Sequence, residues 1–130
     1  MSQDATQSTL VRLQEFDFGK VYFHNKFLIT EINEGVNFDH SMALQIASVI
    51  DEIYADAPYA YIANRKNSFS VNPPDYRKVK SVFKNLKLFC IVTYTSMQKE
   101  SVKVEQIFYH DTIHVFDSLE EAIVFIDKHL

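Results

Sequence analysis

Glycine is scarce in this chain, which has 130 residues and only two glycines, Gly19 and Gly35. A P-loop or a dinucleotide-binding loop needs several glycines so that backbone amides can approach a phosphate group. Neither glycine-rich motif occurs in the sequence. The sequence therefore argues against the nucleotide-binding folds that depend on such loops.

Cysteine is also scarce, and the sequence has neither a long apolar run nor an N-terminal secretory signal pattern. The single cysteine, Cys90, excludes an internal disulfide and the four-thiolate metal patterns, and it suits a reducing cytosol. The longest apolar runs are far shorter than the roughly 20 residues that span a bilayer. Residues 1–9, MSQDATQST, are polar and carry no secretory signal pattern, so we expect a disordered polar tail there. These absences predict a cytoplasmic protein without integral membrane association.

Positive charge is in the minority, with 13 basic against 17 acidic side chains and a net charge of −4. This balance argues against nucleic acid as a partner, because nonspecific binding to phosphate polymers needs an excess of cations. Aromatic residues are abundant, with 11 Phe and 7 Tyr but no Trp, and they can fill much of a core. A chain of this length fits a single domain, which we place at residues 10–130.

The first half of the domain predicts a hairpin followed by a helix. Residues 19–24 and 27–33 are rich in β-branched and aromatic residues around a short turn, while Leu10–Phe16 is ambiguous between a strand and a lead-in. From Asp39, a plausible N-cap, the apolar residues recur every three or four positions, as on one face of a helix. These apolar residues are Met42, Ala43, Ile46, Val49, Ile50 and Ile53.

The second half alternates strands and helices. Strands are predicted at 59–64, at 86–95 and at 113–116, and the second of these is apolar enough to be a central strand. Helices are predicted from the prolines after Asn72, from about 97 to 109 with Ser96 as cap, and after the S-x-x-E capping box at Ser118. The third helix would bury Met97, Ser101, Val104 and Phe108. The predicted fold is an α/β domain of order ββαβαβαβα, with a mostly parallel or mixed sheet of about five strands.

Two local patterns resemble a known family. They are Y-I-A-N-R-x-N-S-F-S-V-N-P at 61–73 and E-I-N-E-G at 31–35. With the element order, they resemble the SpoIIAA-like, STAS-like small bacterial proteins, whose fold is similar to that of CRAL-TRIO lipid-transfer domains. The resemblance implies a protein-interaction or ligand-sensing module rather than an enzyme, and it extends over the chain after residue 9.

One branch of that family, the anti-sigma factor antagonists, carries a D-S-x-G motif whose serine is phosphorylated by a partner kinase. The corresponding region here runs from Asn64 to Ser70, has asparagine in place of the aspartate, lacks the glycine and is longer. Ser68 and Ser70 are the candidate phosphorylation sites that the resemblance implies.

A polar loop at 64–74 is the candidate binding site. Its candidate residues are Asn64, Arg65, Asn67, Ser68, Ser70 and Asn72. Arg65 and Lys66 lie beside two serines and ahead of a predicted helix start, so this loop could hold a phosphate or a carboxylate. In the alternative interpretation the asparagines stabilise turns, the serines bond nearby backbone and the two cations are solvated.

No catalytic or metal-binding pattern accompanies this loop. His110 and His114 have a suitable spacing, but a predicted turn separates them and no third ligand is evident. Cys90 lies in the most apolar strand, where a thiol usually packs as a small hydrophobe. We therefore predict a non-enzymatic regulatory or protein-interaction module without a cofactor, which binds an unidentified protein partner through the loop and the following helix and can form a homodimer. The alternative is a small carrier or sensor of an apolar or lipid-like ligand.

Overall fold

Eight strands occur in residues 10–130, the part of the chain that the computed structural model describes. They are β1 (Leu10–Phe16), β2 (Gly19–His24), β3 (Phe27–Ile32), β4 (Asn37–Phe38), β5 (Tyr59–Asn64), β6 (Ser70–Val71), β7 (Leu86–Val92) and β8 (Ile113–Phe116). Six of them form one sheet in the order β1-β2-β3-β5-β7-β8, and β4 pairs with β6 in a separate two-stranded ladder.

The main sheet is mixed, because β1, β2 and β3 pair antiparallel whereas β3, β5, β7 and β8 pair parallel. The predicted α/β class is confirmed, but the sheet has six strands instead of about five. The additional strand is Leu10–Phe16, which the sequence leaves ambiguous because apolar and polar residues do not alternate cleanly along it. It forms because its backbone pairs with β2 along most of its length.

Within the described residues, four α-helices cover the sheet. They are α1 (His40–Tyr54), α2 (Val79–Val82), α3 (Ser96–Phe108) and α4 (Leu119–His129). The larger core lies between one face of the sheet and the first three helices, and a smaller core lies between the other face and α4. None of the helices in residues 10–130 has both the length and the apolar composition needed to cross a membrane.

Helix α1 forms as the sequence predicts. The side chain of Asp39 accepts a hydrogen bond from the amide of Met42 at 3.0 Å and caps the helix. This bond is the main reason why the pKa of Asp39 lies below its ordinary value. The predicted apolar face packs on the sheet, with Ile46 and Ile50 fully enclosed.

The segment after Asn72 differs from the predicted helix. Pro73–Lys78 is a 3-10 helix, and only the four residues of α2 continue it in α form. Adjacent prolines fix two φ angles and remove two amide donors, which permits a tight turn at this point but provides little for a long helix. Tyr76 and Phe83 nevertheless face the sheet and are buried.

Helix α3 is rotated relative to the prediction. Its cap is Thr95, whose hydroxyl accepts from the amide of Gln98 at 3.1 Å, and Ser96 is the first helical residue. The buried positions are Val102 and Glu105, whereas Met97 is 82% exposed. Of the predicted set, Met97 and Val104 lie on the outer side, whereas Phe108 packs against the larger core. The periodicity therefore identifies the inner face only in part, because that face carries Glu105, a charged residue that the periodicity does not count.

Strand β7 begins at Leu86 as predicted but ends at Val92 instead of at residue 95, and helix α4 agrees with its prediction. β7 is an interior strand between β5 and β8, and its central residues are buried on both faces. Ser118 caps α4 by accepting from the amide of Glu121 at 3.1 Å. The Glu121 carboxylate accepts a hydrogen bond from the amide of Asp117, one residue before the cap, at 3.1 Å.

Gly19 provides a direct test of the hairpin geometry. A Cβ at this position would lie 2.4 Å from the carbonyl oxygen of Glu31, and the residue has φ +154. We expect Gly19→Ala to lower the free energy of unfolding by about 2 to 4 kcal/mol, since both the clash and the backbone strain act against it. The control is Gly35→Ala, which has a positive φ but no atom within 4 Å of the new Cβ, and which should cost only about 1 kcal/mol. Equal losses in urea denaturation would contradict this account.

Candidate functional site

A mainly apolar cavity of about 90 Å³ lies between the sheet and the helices of the larger core. Its floor is formed by residues of β3, β5 and β7 that point to the same face, among them Thr30, Tyr61 and Phe89. Ala43 of α1 forms one wall. The apolar residues that complete the lining are Ile32, Phe38, Ala63, Phe69, Val71, Val79, Val82, Phe83 and Leu86.

The covering side of the cavity is the segment from Asn72 to Phe83, which we call the lid. It consists of the 3-10 helix and the four-residue α2, and it contributes Tyr76, Val79 and Val82 to the lining. The lid is attached at its N-terminal end through β6, which pairs with β4 just before α1 begins. Two short elements thus cover the cavity, and the β4–β6 ladder connects them to the rest of the domain.

A buried ion pair lies at one end of the cavity. Arg65 follows β5 directly and is 6% exposed, and Glu105 of α3 is 0% exposed. The Arg65 Nη1 atom lies 2.9 Å from Glu105 Oε2, and Nη2 bonds to Oε1. The two side chains therefore form a bidentate pair, the arrangement in which a guanidinium and a carboxylate match best.

Two hydroxyl groups complete the hydrogen bonding of Glu105. Tyr76 of the lid donates to Oε1 at 2.6 Å, and Ser101 donates to Oε2 at 2.8 Å. Arg65 Nη2 also donates to the Tyr76 hydroxyl at 3.2 Å. The carboxylate thus connects the sheet, the lid and α3 through one group.

These contacts set the ionisation of the cluster. Burial opposes the charged forms of Arg65 and Glu105, but the hydrogen bonds and the attraction between them outweigh it. The pKa of Arg65 is therefore raised and that of Glu105 lowered. Burial, followed by the Glu105 charge, raises the pKa of Tyr76 well above its ordinary value. At neutral pH the cluster consists of a guanidinium, a carboxylate and a protonated phenol.

One donor of the cluster has no acceptor. Arg65 Nε is buried and finds no hydrogen-bond partner within residues 10–130. The guanidinium carbon of Arg65 lies 5.6 Å from the centre of the Phe69 ring, and both residues line the cavity. A buried N–H group without an acceptor is rare in native structures, so Arg65 Nε adds to the cost of burying this side chain.

The predicted binding-loop residues separate into a buried and an exposed group. Asn64 and Arg65 are buried, and the Asn64 amide oxygen accepts from the Tyr94 hydroxyl at 2.5 Å. Asn67 is half-buried and donates to the carbonyl oxygen of Ile32 at 3.0 Å. The exposed members are Ser68, Ser70 and Asn72.

The exposed members are held by local bonds. The amide of Ser68 donates to the Glu34 carboxylate at 2.8 Å, and the Ser70 hydroxyl donates to Asn37. The side chain of Asn72 donates to Asp75 at 3.3 Å. These bonds agree with the alternative interpretation, in which the loop's polar side chains stabilise turns, while the binding role of the loop stays a prediction.

The two cations of the predicted anion site are already paired with carboxylates. Arg65 faces Glu105, and the ammonium of Lys66 lies 3.4 Å from Glu31. The helix that follows is a six-residue 3-10 helix, whose few amides offer a weaker anion site than a long α-helix. A phosphate at this loop would have to compete with both carboxylates for its counter-charges.

Sequence reasoning missed Glu105, the cavity and the structural role of Tyr76. Glu105 is separated from Arg65 by 40 residues, and nothing in the local pattern of α3 marks it as buried. One signal was present: Glu105 lies three positions after Val102, on the same side of α3. An acidic residue at a core position usually has a buried cation as partner.

The chemistry of the other candidate residues is modest. Cys90 is buried, and burial raises the pKa of its thiol to about 12, so it packs as a hydrophobe as predicted. Residues 10–130 hold no group of three or more His, Cys, Asp or Glu side chains arranged to bind a metal ion.

Comparison with family models, with curated proteins and with solved structures gives no match for this chain. The resemblance to the SpoIIAA-like proteins therefore remains a prediction, and the site has to be interpreted from its own geometry.

Because Glu105 neutralises the buried Arg65, we expect Glu105→Gln to lower the free energy of unfolding strongly. The variant leaves the Arg65 charge buried without its counter-charge, so we expect a loss of about 3 to 5 kcal/mol in the free energy of unfolding. Glu100→Gln is the matched control, because Glu100 is an exposed residue of the same helix that pairs with Lys103, and it should change stability by less than about 0.5 kcal/mol. Similar losses in the two variants would show that the pair is not a major determinant of stability.

The same variants predict a pH dependence. The pKa of Glu105 is lower in the folded protein than in the unfolded chain, where it is about 4.5. The ionised Glu105 side chain therefore stabilises the fold fully at pH values above about 4.5, and this contribution is lost as pH falls through the folded-state pKa. The stability difference between wild type and Glu105→Gln should therefore be constant from pH 7 to 5 and should shrink below about pH 4.5. Urea denaturation at each pH measures this difference, and a difference that grows on acidification would have the wrong sign for a lowered pKa.

Proposed function

We propose that the protein is a non-enzymatic module that binds a small, mainly apolar ligand in the cavity under the lid, as a carrier or a sensor of that ligand. The observation that carries this proposal is a cavity of about 90 Å³ with a largely apolar lining and a few convergent polar groups. Small-molecule sites have this character. The resemblance to CRAL-TRIO lipid-transfer domains favours the same class of function.

The size of the cavity limits the ligand. An engineered cavity of about 150 Å³ binds benzene, so a cavity of about 90 Å³ accepts only a compact molecule while the lid stays in place. A longer chain would have to extend out of the cavity into solvent or displace the lid. The lid is composed of short elements, and moving it would break the hydrogen bond from Tyr76 to Glu105.

A second candidate function is regulatory binding of a protein partner through residues 64–74 and the lid. It is supported by the exposure of Ser68, Ser70 and Asn72 on one loop, which continues directly into the lid. The two functions are compatible, because a ligand that orders the lid would also order the loop that the partner contacts.

Self-association is an additional proposal. The outer edge of β1 has no neighbouring strand within residues 10–130, and its side chains include the exposed Leu10, Val11 and Leu13. An open apolar edge of this kind can pair with the same edge of a second copy.

A cavity-filling variant tests ligand binding. Ala43→Leu places a larger side chain in the wall of the cavity, whereas Ala57→Leu makes the same change at an exposed position outside the lining. With cyclopentane as the probe, we expect the methyl NMR signals of Val79 and Val82 to shift in wild type and in Ala57→Leu but not in Ala43→Leu. If cyclopentane, cyclopentanone and cyclopentanol all leave these signals unchanged in folded wild-type protein, the proposed ligand function is wrong.

The regulatory candidate predicts modification of the exposed loop. Protein isolated from its native cells should carry phosphate on Ser68 or Ser70 under some growth condition, and a partner should bind one phosphorylation state more tightly. Ser48, an exposed serine of α1, is the internal control and should stay unmodified. Intact-mass and peptide mass spectrometry measures both sites, and equal modification of Ser48 would indicate nonspecific phosphorylation.

A further inference from the structure

The outer surface of the lid is strongly basic. Four exposed cations lie in this segment or directly after it, namely Arg77, Lys78, Lys80 and Lys84. Asp75 is the single acidic residue between positions 72 and 84, so four cations and one carboxylate give this stretch a net charge of +3, whereas the whole chain has −4. Positive charge is therefore concentrated on the segment that covers the cavity.

Most of these cations have no acidic partner within the domain. Lys78 lies 3.7 Å from Asp75. Arg77, Lys80 and Lys84 form no ion pair within residues 10–130. Several like charges on one short segment repel one another, and a negatively charged surface outside the domain would relieve this repulsion.

An exposed apolar stripe on α3 adjoins the lid. The guanidinium carbon of Arg77 lies 4.8 Å from the centre of the Phe108 ring. Val104 precedes Phe108 by four residues and Met97 precedes Val104 by seven, so these three side chains lie along one side of the helix. Met97 is 82% exposed, and Ile107, next to Phe108, is 76% exposed. Cations and large apolar side chains thus share one surface, as they do on helices that lie in the headgroup region of a membrane.

The composition of this surface favours a lipid bilayer over a protein as its partner. Three of the four cations are lysines, whose flexible stems and compact charges fit a diffuse layer of lipid headgroups without a fixed geometry. Specific protein interfaces are depleted in lysine and enriched in arginine and aromatic residues. The exposed carboxylate of α3, Glu100, pairs with Lys103 at 2.9 Å and therefore leaves no uncompensated negative charge beside the stripe.

We infer that the lid and the outer side of α3 form a docking surface for anionic lipid bilayers, with the four lid cations at the headgroups and Met97 and Ile107 inserted among them. Because the chain as a whole is negative, the remaining surface would be repelled, and the protein would bind in one orientation. This inference goes beyond the proposed function, since it would hold for a cavity without a ligand. It places the bilayer against the lid, whose residues Lys78 and Val79 also line the cavity.

Co-sedimentation with lipid vesicles tests the docking surface in the full chain. The probes are vesicles of phosphatidylcholine alone and vesicles that also contain phosphatidylglycerol, each in dilute and in concentrated NaCl. We expect binding to the anionic vesicles in dilute salt. Binding to the neutral vesicles, and binding in concentrated salt, should be weak, because salt screens the attraction between exposed charges.

Two matched double variants locate the surface. Lys80→Gln/Lys84→Gln removes two cations from the lid side. Lys26→Gln/Lys128→Gln removes two exposed cations from the β2–β3 turn and from α4, which covers the opposite face of the sheet. Each cation near an anionic bilayer strengthens binding by about fivefold, so the lid variant should bind about 25-fold more weakly than wild type and the control within about twofold. Both variants should keep the urea midpoint of wild type, since all four side chains are exposed.

A second pair of variants tests the apolar stripe. Ile107→Ser should weaken binding to the anionic vesicles by at least about threefold, because less apolar surface is buried in the bilayer. Val124→Ser makes a similar change at an exposed position of α4 and should bind as wild type does. Equal binding of the two variants would show that Ile107 does not insert.

The outcomes separate this inference from the proposed function. If wild type does not bind anionic vesicles in dilute salt, or if the two double variants lose binding equally, the inference is wrong. Failure with vesicles together with binding of a polyglutamate peptide would assign the surface to an acidic protein partner instead. Val79 and Val82 methyl signals that shift with cyclopentane in a protein that binds no vesicles would leave the ligand function standing alone. Vesicle binding without any such shift would leave the docking surface standing without the ligand function.

Discussion

The buried pair of Arg65 and Glu105 is the interaction on which the site depends. It connects the end of β5 to α3, which are far apart in sequence, and Tyr76 extends it to the lid. Two charges are removed from water here, and their mutual attraction balances that cost only because the geometry is bidentate and the hydroxyls of Tyr76 and Ser101 complete the carboxylate. A hydrophobic pair could fill the same volume, but it would form no hydrogen bonds among the end of β5, the lid and α3.

The pair also borders the cavity. Arg65 and Tyr76 contribute to both the ion-pair cluster and the cavity lining, and Glu105 fixes their polar ends. A ligand that binds there and not to the unfolded chain would also stabilise the fold, by mass action.

Much of the fold can be predicted from the sequence, because its signals are local. The cap at Asp39, the apolar face of α1 and the apolar run of β7 each depend on residues that are close in the chain. The site is less predictable because it depends on contacts over long separations. Arg65 gives no local sign that its partner is Glu105, and the apolar spacing in α3 draws attention to Met97, which lies outside the core. Periodicity counts hydrophobic residues and therefore overlooks a buried charge that is neutralised by a distant partner.

The loop at 64–74 also has a structural role. Its cations are paired with Glu105 and Glu31, so its positive charge contributes to holding the loop in place. Its exposed serines are connected to the segment before α1, since Ser68 contacts Glu34 and Ser70 contacts Asn37. The β4–β6 ladder that contains Ser70 also anchors the lid. A phosphate on Ser70 would break its bond to Asn37 and add negative charge at this anchor. The lid covers the cavity, so phosphorylation of the loop and a ligand in the cavity would act on the same short segment. Phosphorylation would therefore change the free energy of ligand binding.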